Sequence, residues 1–198
     1  MTPTLVVIDD LLPNPDEVRE AVLNQEFKDV IGPDGAPYKN IGTNVVPDIY
    51  SKIADIYSRD KIDVKLSFVR MDPEGSETHS FCHADKICAN YAALLYLNPP
   101  EQCSGGTAFY RHKPTGLDAL PSDAAVQMLG MELGRFHNTM TNETKNPDSW
   151  DMVGFVGMKF NRLITYPSKM WHSRFPHASF GKTKQNSRIV QVVFFDLM

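Results

Sequence analysis

Hydrophobic and polar positions alternate with two different periods along the chain, and the change falls near residue 61. Leu5 to Asp9 is a short apolar run that predicts a strand. Asn14, Pro15, Asp16 and Glu17 follow as an N-cap, a proline at the first helical position and an acidic first turn, so a helix is expected to about Phe27. Its Val18, Ala21 and Val22 stand at i, i+3 and i+4, a stripe suited to docking on a sheet. Gly32, Pro33, Asp34, Gly35 and Pro37 predict a loop. From Pro47, the apolar Ile49, Ile53, Ile56 and Tyr57 recur at helical spacing, which predicts a second helix to about Arg59.

Beyond this point Ile62, Val64, Leu66 and Phe68 alternate with Asp63, Lys65 and Ser67, the period of a half-buried strand. Further strands are expected at Tyr91 to Leu97, Thr107 to Arg111, Met152 to Met158, Phe160 to Tyr166 and Ser187 to Leu197. A series of short strands behind two amphipathic helices argues for a mainly β chain of the α+β kind, a jelly roll or sandwich with helices packed outside. Residues 1–61 form an N-terminal strand and support helices in this reading. Residues 113–150 interrupt the strands, are rich in polar positions and carry one expected helix from Ser122 to about Leu133, so they read as an insertion that could cover a site.

At 198 residues the chain is long enough for one sizeable core, and a single domain over 1–198 is the expectation. The 20 Lys and Arg against 24 Asp and Glu give a net charge of -4 with no basic block, which argues against nucleic acid as a partner. No apolar run approaches the ~20 residues of a membrane span, and residues 1–8 lack the pattern of a secretory leader. Cys82, Cys88 and Cys103 are odd in number and lack zinc-type spacing, which fits unpaired thiols in a reducing, cytoplasmic setting.

Candidate chemistry begins with His83, Ala84 and Asp85. In extended backbone, residues i and i+2 face the same way, so an imidazole and a carboxylate can grip one cation. With 6 His and 16 Asp in the chain, about 0.5 such spacings arise by chance, so the motif needs company. His172 supplies it, following an apolar strand and the turn Pro167, Ser168, Lys169. Two imidazoles and one carboxylate on one face of an octahedron leave three positions open, the donor set of non-haem Fe(II) oxygenases. Arg188 stands at the start of the apolar run Ile189, Val190, Val192, Val193, Phe194 and Phe195, where a guanidinium needs an anionic partner. Either a ligand carboxylate held bidentate or an acidic residue of the chain can fill that need.

From about Phe68 to Asp196 the sequence resembles the Fe(II)/2-oxoglutarate dioxygenases of the prolyl-hydroxylase type. The resemblance rests on five elements in order: His83 and Asp85; Leu95, Tyr96, Leu97 and Asn98; Gly105 and Gly106; Phe160 to Tyr166 with Ser168 and His172; and Arg188 leading into Phe194, Phe195 and Asp196. The segment around Ile8 to Arg19 is similar to that of uncharacterised bacterial oxygenases. The resemblance implies a double-stranded β-helix of jelly-roll, cupin-like form with N-terminal support helices. It implies His83, Asp85 and His172 as ligands of Fe(II), Arg188 as partner of the C5 carboxylate of 2-oxoglutarate, and Tyr96 as a second donor to that carboxylate. O₂ is the third reactant, and the expected outcome is hydroxylation of a small-molecule or peptide substrate.

Two departures touch the cosubstrate side. The family often carries a Tyr about ten residues before its HxD, where this chain reads Arg70, Met71, Asp72 and Pro73, and Val190 replaces the small hydroxyl residue that often follows the Arg by two positions. His177 competes with His172 as third ligand, and His79 is a candidate for the entrance. His112 and His137 read as solvated loop positions, and Trp171 as packing. A cupin-like metal protein of other activity, a non-catalytic β-sandwich binding module and a degenerate dioxygenase fold that keeps 2-oxoglutarate as a structural ligand are the rival readings.

Overall fold

The computed structural model describes residues 5–32, 35–46, 48–76, 78, 80–85 and 89–198. His79 and Cys88, like Pro33, Asp34 and Pro47, lie outside the described residues. The chain is mainly β with flanking helices. Strand β1 (Val6–Ile8) and helix α1 (Pro15–Asn24) follow the sequence pattern, but α1 stops before Phe27 because Gln25 turns extended. The Gln25 side chain instead accepts a hydrogen bond from Thr43 N at 2.7 Å. This contact belongs to a hairpin the hydrophobic pattern missed, β2 (Lys28–Ile31) and β3 (Pro37–Thr43), which flanks the expected loop. β2 is exposed along its whole length, so no face is buried and no period is written into it.

Helix α2 (Ile49–Ile56) precedes β4 (Ile62–Asp72), which runs past Phe68. Then come β5 (Tyr91–Tyr96), β6 (Gly106–His112), α3 (Asp123–Met128), α4 (Leu133–Glu143), β7 (Trp150–Gly157), β8 (Leu163–Pro167), β9 (His172–Phe175) and β10 (Arg188–Leu197). The helix expected over 122–133 is α3, which stops at Met128, and a second helix, α4, was not expected. Gly130, at φ +72°, ends the first, and the Glu132 carboxylate caps the second by accepting from Gly134 N and Arg135 N at 2.7 and 2.6 Å. Phe160 to Arg162 is a turn rather than strand. Asn161 takes a left-handed conformation there, accepting from Leu12 N at 2.9 Å and donating to Leu12 O at 2.8 Å.

The strands form two antiparallel sheets, as in jelly-roll folds. One has the order β1-β8-β5-β10-β4-β3-β2 and the other β7-β6-β9. An isolated bridge between His83 and His172 continues the smaller sheet beyond β9. Strand β10 shows how the layers are written in sequence. Ile189, Val193 and Phe195 pack with Val18, Val22, Ile49 and Ile53 of the helices, whereas Val190, Val192 and Phe194 pack with Tyr96, Phe109 and Tyr166 between the sheets. A third cluster sets Val126, Phe136 and Met140 of α3 and α4 against Tyr110, Trp150 and Trp171. The 113–150 segment therefore backs the outer face of the smaller sheet. It also touches the approach to the HxD, because Phe81 N donates to Thr144 O at 2.8 Å.

Gly105 and Gly106 serve a close approach. A Cβ on Gly106 would lie 2.0 Å from Val156 O and 2.9 Å from Gly157 Cα, both backbone atoms of the paired strand β7. Gly106→Ala is expected to destabilise the fold by about 3 kcal/mol, since the strand pair must part to admit a methyl group. A urea midpoint that falls with unchanged slope checks this, and an unmoved midpoint contradicts it.

Candidate metal centre

His83, Asp85 and His172 come together at one end of the space between the sheets. Their potential donor atoms all lie within 4.8 Å of one another, the only such group of three or more among the described residues. His83 Nε2 is 3.6 Å from one Asp85 oxygen and His172 Nε2 is 3.2 Å from the other, with the two rings 4.4 Å apart.

Backbone pairing fixes this convergence. His83 N donates to His172 O and His172 N to His83 O, each at 2.9 Å, so the two stretches arrive in register. Asp85 N donates to Ser168 O at 2.8 Å, while Ser168, fully buried, donates its hydroxyl to Ala89 O and its N–H to Asn90 O at 2.9 Å. The Pro167–Ser168 turn thus positions the carboxylate as well as leading to His172. Tyr166 packs edge-on against the His172 ring at 4.9 Å.

The His172 ring is oriented for ligation. Its Nδ1 lies 2.8 Å from Met170 O, which can only accept, so Nδ1 carries a proton and Nε2 is the ring nitrogen turned towards Asp85. Nε2 faces a carboxylate oxygen at 3.2 Å, a pair of donor atoms that a proton or a metal ion between them would satisfy. Burial lowers the His172 pKa, but Asp85 and the Met170 carbonyl outweigh it and raise the net value. Burial raises that of Asp85, but the two imidazoles and Arg70 hold it below the usual carboxylate range. Desolvation, then repulsion from His172, lowers that of His83. Two imidazoles and one carboxylate, with His83 half exposed, fit a divalent iron site with open positions.

Arg188 is buried and faces the same inter-sheet layer, in step with Val190 and Val192. Its Nη1 is 3.3 Å from Asp72 Oδ2, its Nε has no hydrogen-bond partner, and its guanidinium lies 6.0 Å from the Tyr96 ring centroid. The acidic partner left open by the sequence is thus Asp72, but Arg188 is not its sole cation. Arg70 Nε approaches Asp72 Oδ1 at 2.9 Å and Arg174 Nη1 approaches Oδ2 at 3.3 Å. Burial lowers the Arg174 pKa, Asp72 opposes this, and the neighbouring Arg188 and Arg70 add to the lowering. The Tyr96 hydroxyl, fully buried, pairs with Thr107 Oγ1 at 2.8 Å.

The other sequence candidates stand apart from this group. His177 packs against Phe81 with the rings tilted and 4.5 Å apart. Trp171 packs on Trp150 at 4.9 Å in the outer cluster. His112, read from sequence as a solvated loop position, is fully buried beside Trp150, and His137 pairs with Asp123 at 3.0 Å to join α3 and α4. Cys82 and Cys103 are free thiols.

Arg174 escaped sequence reasoning, and Arg70, Asp72 and Asn98 were named there without the contacts they make here. Asn98 holds the start of β10, accepting from Ile189 N at 2.7 Å and donating to Ser187 O at 2.8 Å on either side of Arg188. Asn98→Ala leaves two buried backbone groups unpaired and is expected to cost about 2–4 kcal/mol of stability. Chemical denaturation measures it, and a loss below about 1 kcal/mol contradicts the bracing role.

No helix among the described residues is long and apolar enough to cross a membrane. The model of DUF6445, a family of unknown function, matches residues 2–190. No curated protein matches the chain in sequence. Among solved structures it is similar to AviO1 from Streptomyces viridochromogenes Tue57, at 10% identity and a TM-score of 0.53 over 98% of this chain and 90% of that one. That likeness shows the fold alone. A weaker one links it to iron-bound HygX from Streptomyces hygroscopicus, at 11% identity and a TM-score of 0.46 over 97% and 81% of the two chains.

Proposed function

Since the chain belongs to DUF6445, a family of unknown function, its activity has to be read from its own site, and we propose that it is an Fe(II)- and 2-oxoglutarate-dependent oxygenase built on a double-stranded β-helix. The observation that carries this reading is the convergence of His83, Asp85 and His172, from two distant stretches, on one point with His172 Nε2 facing the carboxylate. These three side chains would hold Fe(II) on one face.

When bound together, Fe(II), 2-oxoglutarate and O₂ supply the oxidising power: one oxygen atom goes to the substrate as a new hydroxyl, the other to succinate, and CO₂ leaves. The chain's own part is geometric and electrostatic. Arg188 takes the far carboxylate of the oxoacid and so fixes its direction. Its unpartnered Nε and its burial support this, because an unfilled donor on a buried cation is costly unless a ligand completes it. Tyr96, with its ring beside that guanidinium, adds a phenol to the same end. Tyr166 and the apolar side chains between the sheets keep water from the reacting groups.

Tyr96→Phe is expected to weaken 2-oxoglutarate binding by about tenfold or more, the worth of one hydrogen bond to a charged group, without changing metal affinity. Titration of the metal-loaded protein reads it, and equal binding to wild type removes Tyr96 from the cosubstrate contacts. The reading as a whole is tested by aerobic incubation with Fe(II) and 2-oxoglutarate, following succinate. Slow succinate formation that vanishes in His83→Ala supports it. Wild-type protein that neither binds Fe(II) nor turns over the oxoacid contradicts it.

A further inference from the structure

Residues paired across neighbouring strands share a face, and one such row in the larger sheet runs Tyr96, Val190, Arg70, Ile41, Lys28. Tyr96 and Val190 lie in the apolar layer between the sheets, so Arg70 and Ile41 point to that side too. The layer ends at β4: Leu66 and Phe68 belong to it, whereas β3 and β2 contribute no described residue. Ile41 is half-buried yet part of no apolar cluster, and Lys28 is exposed with its ammonium 3.2 Å from Glu26. The sheet therefore continues past the layer as an open ledge, an isoleucine between two cations.

Arg70 stands at the inner end of that ledge and differs from the arginines beside it. Its side chain is 34% accessible, against 8% for Arg174 and 6% for Arg188. Its Nε is committed to Asp72 Oδ1 at 2.9 Å, while its two Nη groups make no hydrogen bond to a described residue. It is also within electrostatic reach of the metal centre. Desolvation and His172 lower the His83 pKa, and Arg70 adds to the lowering. Burial raises that of Asp85, the two imidazoles hold it down, and Arg70 again adds.

Charge counting leaves Arg70 in want of an anion. Three guanidiniums converge on Asp72, whose carboxylate offsets one of them. The far carboxylate of the oxoacid, seated on Arg188, offsets a second. The third charge stays, and it belongs to the arginine that faces outward. The free Nη edge of a guanidinium matches the paired oxygens of a carboxylate or a phosphate. We propose that Arg70 selects the substrate, binding a carboxylate or phosphate group of the molecule to be oxidised while Ile41 and the half-buried Phe68 take its apolar body. This substrate class rests on the oxygenase reading. Because Arg188 lies deeper than Arg70, the oxoacid and the second anion do not compete.

The test uses the full chain loaded with Mn(II) and saturated with 2-oxoglutarate, titrated calorimetrically with hexanoate, hexyl phosphate and the neutral hexanamide as probes. At least one anion is expected to bind tenfold or more tighter than hexanamide, about the worth of one charge-assisted hydrogen bond. The tighter of the two assigns the group as carboxylate or phosphate. Arg70→Gln should bring both anions within about twofold of hexanamide and leave 2-oxoglutarate binding within about threefold, since Arg174 and Arg188 still face Asp72. Ile41→Glu sets a carboxylate beside Arg70 without touching Asp72 and should abolish the anion preference as well. Wild type that binds 2-oxoglutarate but favours neither anion, or that preference surviving in Arg70→Gln, overturns the proposal and leaves the oxygenase reading standing. Loss in Arg70→Gln with Ile41→Glu unaffected overturns it too, as does Arg70→Gln that weakens 2-oxoglutarate as much as the anions, which puts Arg70 in the cosubstrate site. Wild type that takes up no 2-oxoglutarate yet prefers an anion through Arg70 keeps the anion site and removes the oxygenase reading.

Discussion

His172→Ala protein is expected to bind Fe(II) more than ~100-fold more weakly than wild type and to release no succinate from 2-oxoglutarate. Loss of an outer contact that merely orients a metal ligand costs 10- to 100-fold in affinity, so loss of the ligand itself should exceed that range. The remaining pair, His83 and Asp85, cannot make up the loss: the only group of three or more donors among the described residues includes His172. Folding should survive. The backbone bridge of His172 to His83 does not involve the side chain, and the imidazole's polar partners are Met170 O and Asp85, a carboxylate that keeps His83 beside it. A circular dichroism spectrum and melting point close to wild type, together with lost iron binding, separate a ligand from a packing residue. Unchanged iron affinity would transfer the third position elsewhere.

Arg188→Gln should leave iron binding within about threefold of wild type and weaken 2-oxoglutarate by about 100-fold, or about 3 kcal/mol. The size follows from the loss of a charge-assisted bidentate contact in a buried setting. Asp72 is not left as an unpaired buried charge, since Arg70 and Arg174 remain at 2.9 and 3.3 Å. The variant therefore tests cosubstrate binding more than stability. Metal titration and 2-oxoglutarate titration on the same preparation give the split, and a parallel loss of both constants contradicts the assignment.

The sequence exposed those parts of the molecule in which one face is buried and the other is not. Strand β10 was legible because Ile189 and Val193 feed one core while Val190 and Val192 feed another, so its apolar run is nearly continuous. The β2–β3 hairpin was illegible for the opposite reason, with Lys28 to Ile31 all exposed. Helix α3 was expected to run on to about Leu133 because the apolar Met128, Leu129 and Met131 continue past its end, where the left-handed Gly130 stops it, and α4, within the polar insertion, was not expected.

The candidate site shows the same division. His83, Asp85 and His172 were visible through motif and order, since ligand chemistry restricts residue type. Arg70 and Asp72 were visible only as a departure from a familiar pattern, because a buried ion cluster has no sequence period. Arg174 could have been found by one step of strand geometry, yet His172–Phe175 is four residues of mixed polarity and does not announce itself as a strand. Asn98 was read as part of a motif and not as the brace of Arg188, since its partners at 187 and 189 meet it only in the fold.

The most direct test of a three-residue iron site is diffraction from anaerobic crystals soaked in Fe(II), with anomalous maps recorded on both sides of the iron absorption edge. One peak bonded to His83 Nε2, an Asp85 carboxylate oxygen and His172 Nε2 is the expected result. A peak at another set of side chains, or none here at full iron loading, contradicts the account.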